Sequence, residues 1–313
     1  MHKKAKAAFL IICFLILFKL THKGSHNLLN DQILPTKSAF LSISFVYLPC
    51  LHYLCIMIFY FSGTGNTRWA AEQLAAATQE RLLFIPDELN TPCEYTLADD
   101  ERIGLCFPIH GWQPPHIVRE FIRKMTIKEP AGHYAYTLCT CGDSTGLAVT
   151  MLAKELAEKG ITLHSCQSLI MPESYVCLPF MYTDKPERER EKIEQAQRDL
   201  ESFVKIVVSR QTGYSQLTLG LTPWTFSHVI GAYFNRFMIT DKKFTVDSDV
   251  CTHCGRCAKV CPVGDIVFDG TPSWKYDGSC TTCLSCYHHC PVHAINYGRI
   301  TRQRGQYYFG HTK

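Results

Sequence analysis

The sequence has no long basic block, and its formal net charge of +4 is small for 313 residues. Nucleic acid, which needs a concentrated basic face, is therefore a poor fit as a partner. Near the start, "MHKKAKAAFLIICFLILFKL" has the basic head and apolar run of a targeting segment, but Lys19 interrupts the run below ordinary spanning length. No small-residue cleavage site follows it, so neither a signal nor an anchor is well formed. The loop "FSGTGNT", residues 61–67, contains no lysine, which excludes the G-x-x-x-x-G-K-[ST] cradle of a nucleotide P-loop. It also lacks the third glycine of a dinucleotide fingerprint, because Arg68 stands at that position. Cysteine, by contrast, is abundant. There are 17, and eight fall within residues 251–290. Cysteines crowded in this way, in a chain of this size, point to metal more than to disulfides.

A second apolar stretch, "AFLSISFVYLPCLHYLCIMIFYF", runs directly into the strand that precedes the glycine loop. That strand belongs inside a folded domain, so the preferred reading starts the protein at Met57. An anchor or a signal in residues 1–56 is the alternative, and membrane contact is expected only if an anchor is real. From Met57 to about Arg210, strand and helix patterns alternate: "MIFYF", "RLLFIP", "RIGLCF", "YAYTLCT" and "ITLHSCQSLIM" read as strands. Between and after them, "TRWAAEQLAAAT", "PHIVREFIRKM", "LAVTMLAKELAEKG" and "PEREREKIEQAQRDLESFVKIVVSR" have helical spacing. The last carries Glu194–Arg198 and Glu201–Lys205 at ion-pair spacing on a solvated face. Five strands alternating with helices specify an α/β fold, a doubly wound five-stranded parallel sheet. Residues 211–245 read as a connector whose aromatic "PWTFSHVIGAYFNRFM" is expected to form a short helix over the joint between domains.

Residues 246–313 form a small α+β domain containing a repeat, "CTHCGRCAKVCP" and "CTTCLSCYHHCP", each C-x2-C-x2-C-x3-C-P. Soft thiolates at this spacing suit iron–sulfur clusters, whereas zinc takes paired C-x2-C units separated by a longer loop. The cysteine before proline ligates the cluster of the other motif. Cys251, Cys254, Cys257 and Cys290 are thus assigned to one [4Fe–4S] cluster, and Cys280, Cys283, Cys286 and Cys261 to the second. The apolar segments that follow, "VGDIVFDG" and "VHAINYG", are expected to pair as strands. The whole segment resembles bacterial two-cluster ferredoxins.

Without a lysine, the loop at 61–67 can still surround a terminal phosphate with backbone N–H groups and hydroxyls at a helix start. "YFSGTGNTRWAAEQLA" closely resembles the phosphate loop of flavodoxins, which bind FMN. That resemblance implies that Ser62, Thr64, Gly65, Asn66 and Thr67 hold the FMN phosphate. In a flavodoxin-like sheet of order 2-1-3-4-5, the flavin ring lies at the carboxyl ends of the strands near the switch point. His110, Gly111 and Trp112 would flank one side of it, and Thr140, Cys141, Gly142 and Asp143 the other. Trp112 is read as either a ring-stacking or a packing residue, and Asp143 as either a flavin neighbour or a helix cap. A redox pair of Cys139 and Cys141 is not expected, on the ground that the two face opposite sides of their strand. Together the parts resemble flavodoxin–ferredoxin fusion proteins of anaerobic bacteria over residues 57–313. The resemblance implies an electron relay between two clusters and FMN, with redox proteins as partners, in the cytoplasm. The alternative is an FMN-dependent reductase of a small molecule, which a walled cavity containing His110 would favour. The flavin is expected to be indifferent to loss of a cluster, since its loop lies in the other domain.

Overall fold

The computed structural model describes residues 57–311, which belong to one compact unit. The expectations for residues 1–56 lie outside the described residues. Among those described, no helix is long and apolar enough to cross a membrane.

β1 (Met57–Tyr60) is short, apolar and central, paired in parallel with β2 (Arg81–Phe84) on one side and β4 (Arg102–Pro108) on the other. β6 (Tyr134–Cys141) and β7 (Leu163–Ile170) continue the sheet, again in parallel. These five strands have the 2-1-3-4-5 order expected. The sheet also has a sixth strand: β8 (Tyr214–Gln216), three residues of the connector, pairs with β7 at the edge. Its mostly exposed, polar sequence gives no strand signal, and only the backbone ladder to Ser165–Gln167 defines it. β2 ends at Phe84, one residue before Ile85, because Pro86 opens the short helix α2 (Ile85–Glu88). Two further short strands, β3 (Glu94–Thr96) and β5 (Thr126–Lys128), pair only with each other.

Alternate residues of β1 feed two cores, as the strand repeat requires. Ile58 packs with Ala70 and Leu74 of α1 (Asn66–Thr78) and with Leu200 and Phe203 of α5 (Pro186–Val208). Phe59 packs with Phe121 of α3 (His116–Lys124) and shares a core with Val149 and Leu152 of α4 (Ala148–Ala157). Each such side chain contributes about 1.5–3 kcal/mol on burial. The ion pairs expected along α5 are not formed. Arg198 donates to Gln195 and Gln197 donates to Glu201 instead, a small change, since exposed pairs are worth little.

Past the sheet, Pro223–Phe237 is one helical run, α6 (Pro223–Thr225) and α7 (Gly231–Phe237), joined by a π-helical turn at Phe226–Ile230. It lies over the loops that follow β4 and β6. Ser227 accepts from Leu147 N–H (2.7 Å) through its hydroxyl and from Gln113 Nε2 (2.7 Å) through its carbonyl. Gly231 sits against Gly111, where an added Cβ would be 2.3 Å from the Gly111 carbonyl oxygen.

The cysteine-rich part repeats a helix and a strand: α8 (Arg256–Lys259) with β10 (Ile266–Phe268), then α9 (Ser285–His288) with β12 (Ile295–Tyr297). The two apolar segments do not pair with each other, contrary to expectation. β10 forms a hairpin with β11 (Pro272–Trp274), and β12 pairs with β9 (Phe244–Val246) at the start of this part. Asp269, Gly270 and Thr271 close the hairpin, with Gly270 at φ 103°, so β10 finds its partner locally. Phe244 and Trp274, stacked at 5.2 Å, join the two ladders into one core.

Candidate functional site

The loop after β1 turns into α1 through Gly65, whose φ of 98° favours a residue without a side chain. No side chain caps α1, and its first turn holds no acidic residue. Its first N–H groups are thus left for a ligand, and the helix dipole favours an anion there. Ser62, Thr64, Asn66 and Thr67 are all buried, yet all line one cleft. Not all their side chains remain available. Asn66 Nδ2 donates to the Pro172 carbonyl (3.3 Å) and Asn66 Oδ1 accepts from Tyr307 Oη (2.6 Å), which leaves its backbone N–H for the ligand. Thr67 shares a hydroxyl–hydroxyl bond with Thr140 (2.8 Å). These donors fit a phosphomonoester better than a bulky triphosphate, which would need a cation.

The cleft holds about 1040 Å³ of empty space, part of it open to solvent. The loops after β4, β6 and β7 form its walls. His110 lies edge-on to Phe61, and burial, with His116 nearby, lowers its pKa to about 3, so the imidazole is neutral. Gly111 has φ 53° and lies against Phe234, which an added Cβ would meet at 2.4 Å. Trp112 lines the cleft while packing on Phe226 (4.6 Å) and donating from Nε1 to Ser144 Oγ (3.1 Å), so it ties the two ring loops together. Asp143 is exposed at the rim and accepts from Ser144 Oγ (3.3 Å); α4 has no side-chain cap. Cys139 and Cys141 share a face, as residues two apart in a strand must, which corrects the sequence argument. Each thiol points at a carbonyl of β7, that of Gln167 or Leu169, and no disulfide forms. Burial pushes the Cys141 pKa up to about 12, which makes it an unreactive thiol.

Sequence reasoning missed Glu173, on the loop after β7. Its Oε1 accepts from the N–H groups of Ser174 (3.0 Å) and Tyr175 (2.8 Å), while burial raises its pKa. Gly142 makes room for it, since a Cβ there would stand 2.2 Å from Glu173 Oε2. The switch-point rule that picked the other two loops applies to this one as well. Lys192 of α5 fixes the neighbouring loop by donating to the Gly142 carbonyl (3.0 Å) and to Asp184 (2.7 Å).

The two cysteine motifs fold alike. The residues two and four after each first cysteine have positive φ: His253 and Gly255 in one motif, Thr282 and Leu284 in the other. Cys251, Cys254, Cys257 and Cys290 line one small cavity, together with Pro291 and Ile295; Cys261 is not in its lining. Cys261 lies instead with the second motif. After burial, the neighbours that raise the Cys286 pKa are Cys283, Cys280 and Cys261. Backbone N–H groups reach sulfur at matching places, Asp265 to Cys261 (3.3 Å) and Ala294 to Cys290 (3.2 Å), the kind of bond that sets cluster potentials. Among the described residues, no group of three or more His, Cys, Asp or Glu could hold a single metal ion. The four cysteines around the small cavity are soft donors of the kind that hold iron–sulfur clusters.

The two parts meet at the cleft. Thr281, Thr282 and Cys283 line it opposite the glycine loop, and Gly63 lies against Cys283, where an added Cβ would be 2.6 Å from the cysteine Cβ.

Comparison with known proteins bears on the cysteine-rich part. Residues 243–291 match the family model of the 4Fe-4S dicluster domain. An uncharacterized ferredoxin of Methanocaldococcus jannaschii is 37% identical over 54 residues, 16% of this chain and 70% of that one. Among solved structures, a putative flavoprotein from Bacteroides uniformis is similar at 23% identity, covering 36% of this chain and 88% of that one, with a TM-score of 0.28. A Fusobacterium nucleatum flavodoxin bound to flavin mononucleotide is similar at 9% identity, covering 50% and 99%, with a TM-score of 0.32. Scores this low carry no weight for function, and the sheet order above stands on its own strand pairing. Through its 4Fe-4S dicluster domain, the chain belongs to the ferredoxins, a family of iron–sulfur proteins.

Proposed function

We propose that the chain is an iron–sulfur flavoprotein that passes electrons between two [4Fe–4S] clusters and FMN. The observation that carries this reading is the shared wall of the cleft, where the glycine loop faces Thr281–Cys283 of the second motif. Cys251, Cys254, Cys257 and Cys290 hold the outer cluster, in which Cys254 is exposed. Cys280, Cys283, Cys286 and Cys261 hold the inner one beside the cleft. Ser62 and Thr64 hydroxyls, with the N–H groups of Gly65, Asn66 and Thr67, hold the FMN phosphate. When bound, FMN supplies the exchange between one-electron and two-electron chemistry. The partners are redox proteins, and oxygen-sensitive clusters suit the cytoplasm.

One feature favours a second reading, an FMN-dependent reductase fed by its own clusters. The cleft is walled by Tyr175, Leu178, Met181 and Phe234, with neutral His110 among its lining residues. A small molecule entering there would meet an apolar wall and a histidine able to donate a proton from one nitrogen only.

Replacing Ser62 and Thr64 together by alanine tests the phosphate site. Each hydroxyl bond to a charged phosphate is worth about 1.5–3 kcal/mol, so the pair weakens FMN binding by a factor on the order of a hundred or more. The purified variant is expected to lose its yellow flavin absorbance and keep the brown absorbance of the clusters. Stoichiometric FMN in the double variant would place the phosphate elsewhere.

A further inference from the structure

The segment 305–311, which follows the 3-10 turn Ile300–Gln303, runs from the cluster-bearing part back to the glycine loop. Its first contacts are with the second cysteine motif. Gln306 Nε2 donates to the carbonyls of Tyr287 (2.6 Å) and Cys290 (2.8 Å). The Tyr307 N–H donates to His288 Nδ1 (3.0 Å), which puts the histidine proton on Nε2, donated to the Ser174 carbonyl (2.6 Å) in the cleft wall. Beyond this anchor the segment reaches α1. Tyr307, 1% exposed, donates from Oη to Asn66 Oδ1 (2.6 Å), and the Phe309 N–H donates to the Thr64 carbonyl (2.8 Å). The Phe309 ring stacks on Trp69 at 5.0 Å, and its Cβ lies 3.1 Å from where a Cβ on Gly65 would stand.

These contacts fall on Thr64, Gly65 and Asn66, the middle of the loop, and they engage the Thr64 carbonyl and the Asn66 side chain. Tying the Thr64 carbonyl and the Asn66 side chain leaves the N–H groups and hydroxyls on the other side free to converge. We propose that segment 305–311 is a positioning element for the phosphate loop, with Tyr307 its principal contact, so that retention of a flavin phosphate depends on the folded cluster-bearing part. This rests on the FMN reading above. It also replaces the expectation of two independent domains: the loop that grips the phosphate is braced by a segment anchored next to Cys290.

The test is anaerobic titration of the full-length, cluster-containing, flavin-free protein with FMN and, separately, with riboflavin, which lacks the phosphate. Wild-type protein is expected to bind FMN more tightly. Tyr307→Phe removes one buried donor and keeps the ring. It is expected to bind FMN about tenfold more weakly, with riboflavin affinity and iron content unchanged. Hydrogen exchange at residues 64–67 is expected to quicken in the same variant. Tyr308→Phe, whose ring stacks on His289 rather than on the loop, is expected to bind both flavins as wild type does. A Tyr307→Phe protein that binds FMN as tightly as wild type, or that loses both flavins equally, overturns the inference. Should that variant lose iron, Phe309→Leu decides by the same criterion: FMN-selective loss supports the proposal, and unchanged binding overturns it. Wild-type protein that binds neither flavin overturns the FMN reading itself, a separate outcome.

Discussion

Serine in place of both Cys261 and Cys254 is expected to damage two clusters, whereas serine in place of Cys261 and Cys283 is expected to damage one. Proximity in sequence says the opposite, since Cys254 and Cys261 share a motif. The geometry explains the crossing. Cys290 lines the cavity of the first motif, and Cys261 is among the neighbours that raise the Cys286 pKa in the second. Serine offers a harder, more basic oxygen than a thiolate and holds iron poorly. The Cys261/Cys283 variant should therefore keep about half its iron and one set of reduced-cluster EPR signals, and the Cys261/Cys254 variant far less than half. Half the iron retained by the Cys261/Cys254 variant would mean that each motif binds its own cluster. Cys283 lies against Gly63 in the cleft, so its replacement is also expected to weaken the flavin. The sequence alone pointed to a flavin indifferent to the clusters.

The second large effect lies at the opposite end of the sheet. Glu80, with a fully buried side chain, pairs with Arg102 (2.5 Å), whose side chain is 11% exposed, and accepts a hydrogen bond from the buried Tyr136 hydroxyl. Gly104 leaves space for that phenol, since a Cβ there would stand 2.6 Å from Tyr136 Oη. Glu80→Ala strips the partner from a buried guanidinium and from a phenol at once. Removing one half of a buried pair costs about 3–5 kcal/mol. At roughly 2–4 °C per kcal/mol for a chain of this size, Tm falls by on the order of 10 °C. A thermal unfolding curve within a degree or two of wild type would show that water reaches and solvates Arg102. This end of the strands bears on stability, while the carboxyl end bears on the ligand.

What was legible in the sequence follows from how local each signal is. β4 and β6 are largely apolar runs bounded by polar or turn residues, so short-range pattern defines them. The cysteine motifs carry their turns in their own spacing, and the positive φ at His253 and Thr282 recurs with the repeat. β8 was invisible because three mostly exposed residues gain their ladder only from β7. The internal repeat suggests that the strands after the cysteine motifs pair as pseudo-symmetric mates, whereas β10 takes its chain neighbour β11 and β12 takes β9. Glu173, Tyr175 and Phe234 enter the cleft from beyond the two loops that the motifs singled out. Tyr307 reaches Asn66 across 241 residues of sequence, and nothing in "GQYYFGH" marks that contact.

On the proposed reading, one chain carries two four-iron clusters and a flavin around a shared wall. Anaerobic purification of the native protein, followed by measurement of iron, acid-labile sulfide and extracted flavin, tests it most directly. About eight iron, about eight sulfide and about one FMN per chain are expected. Zinc in place of iron, or about four iron with no flavin, would contradict it.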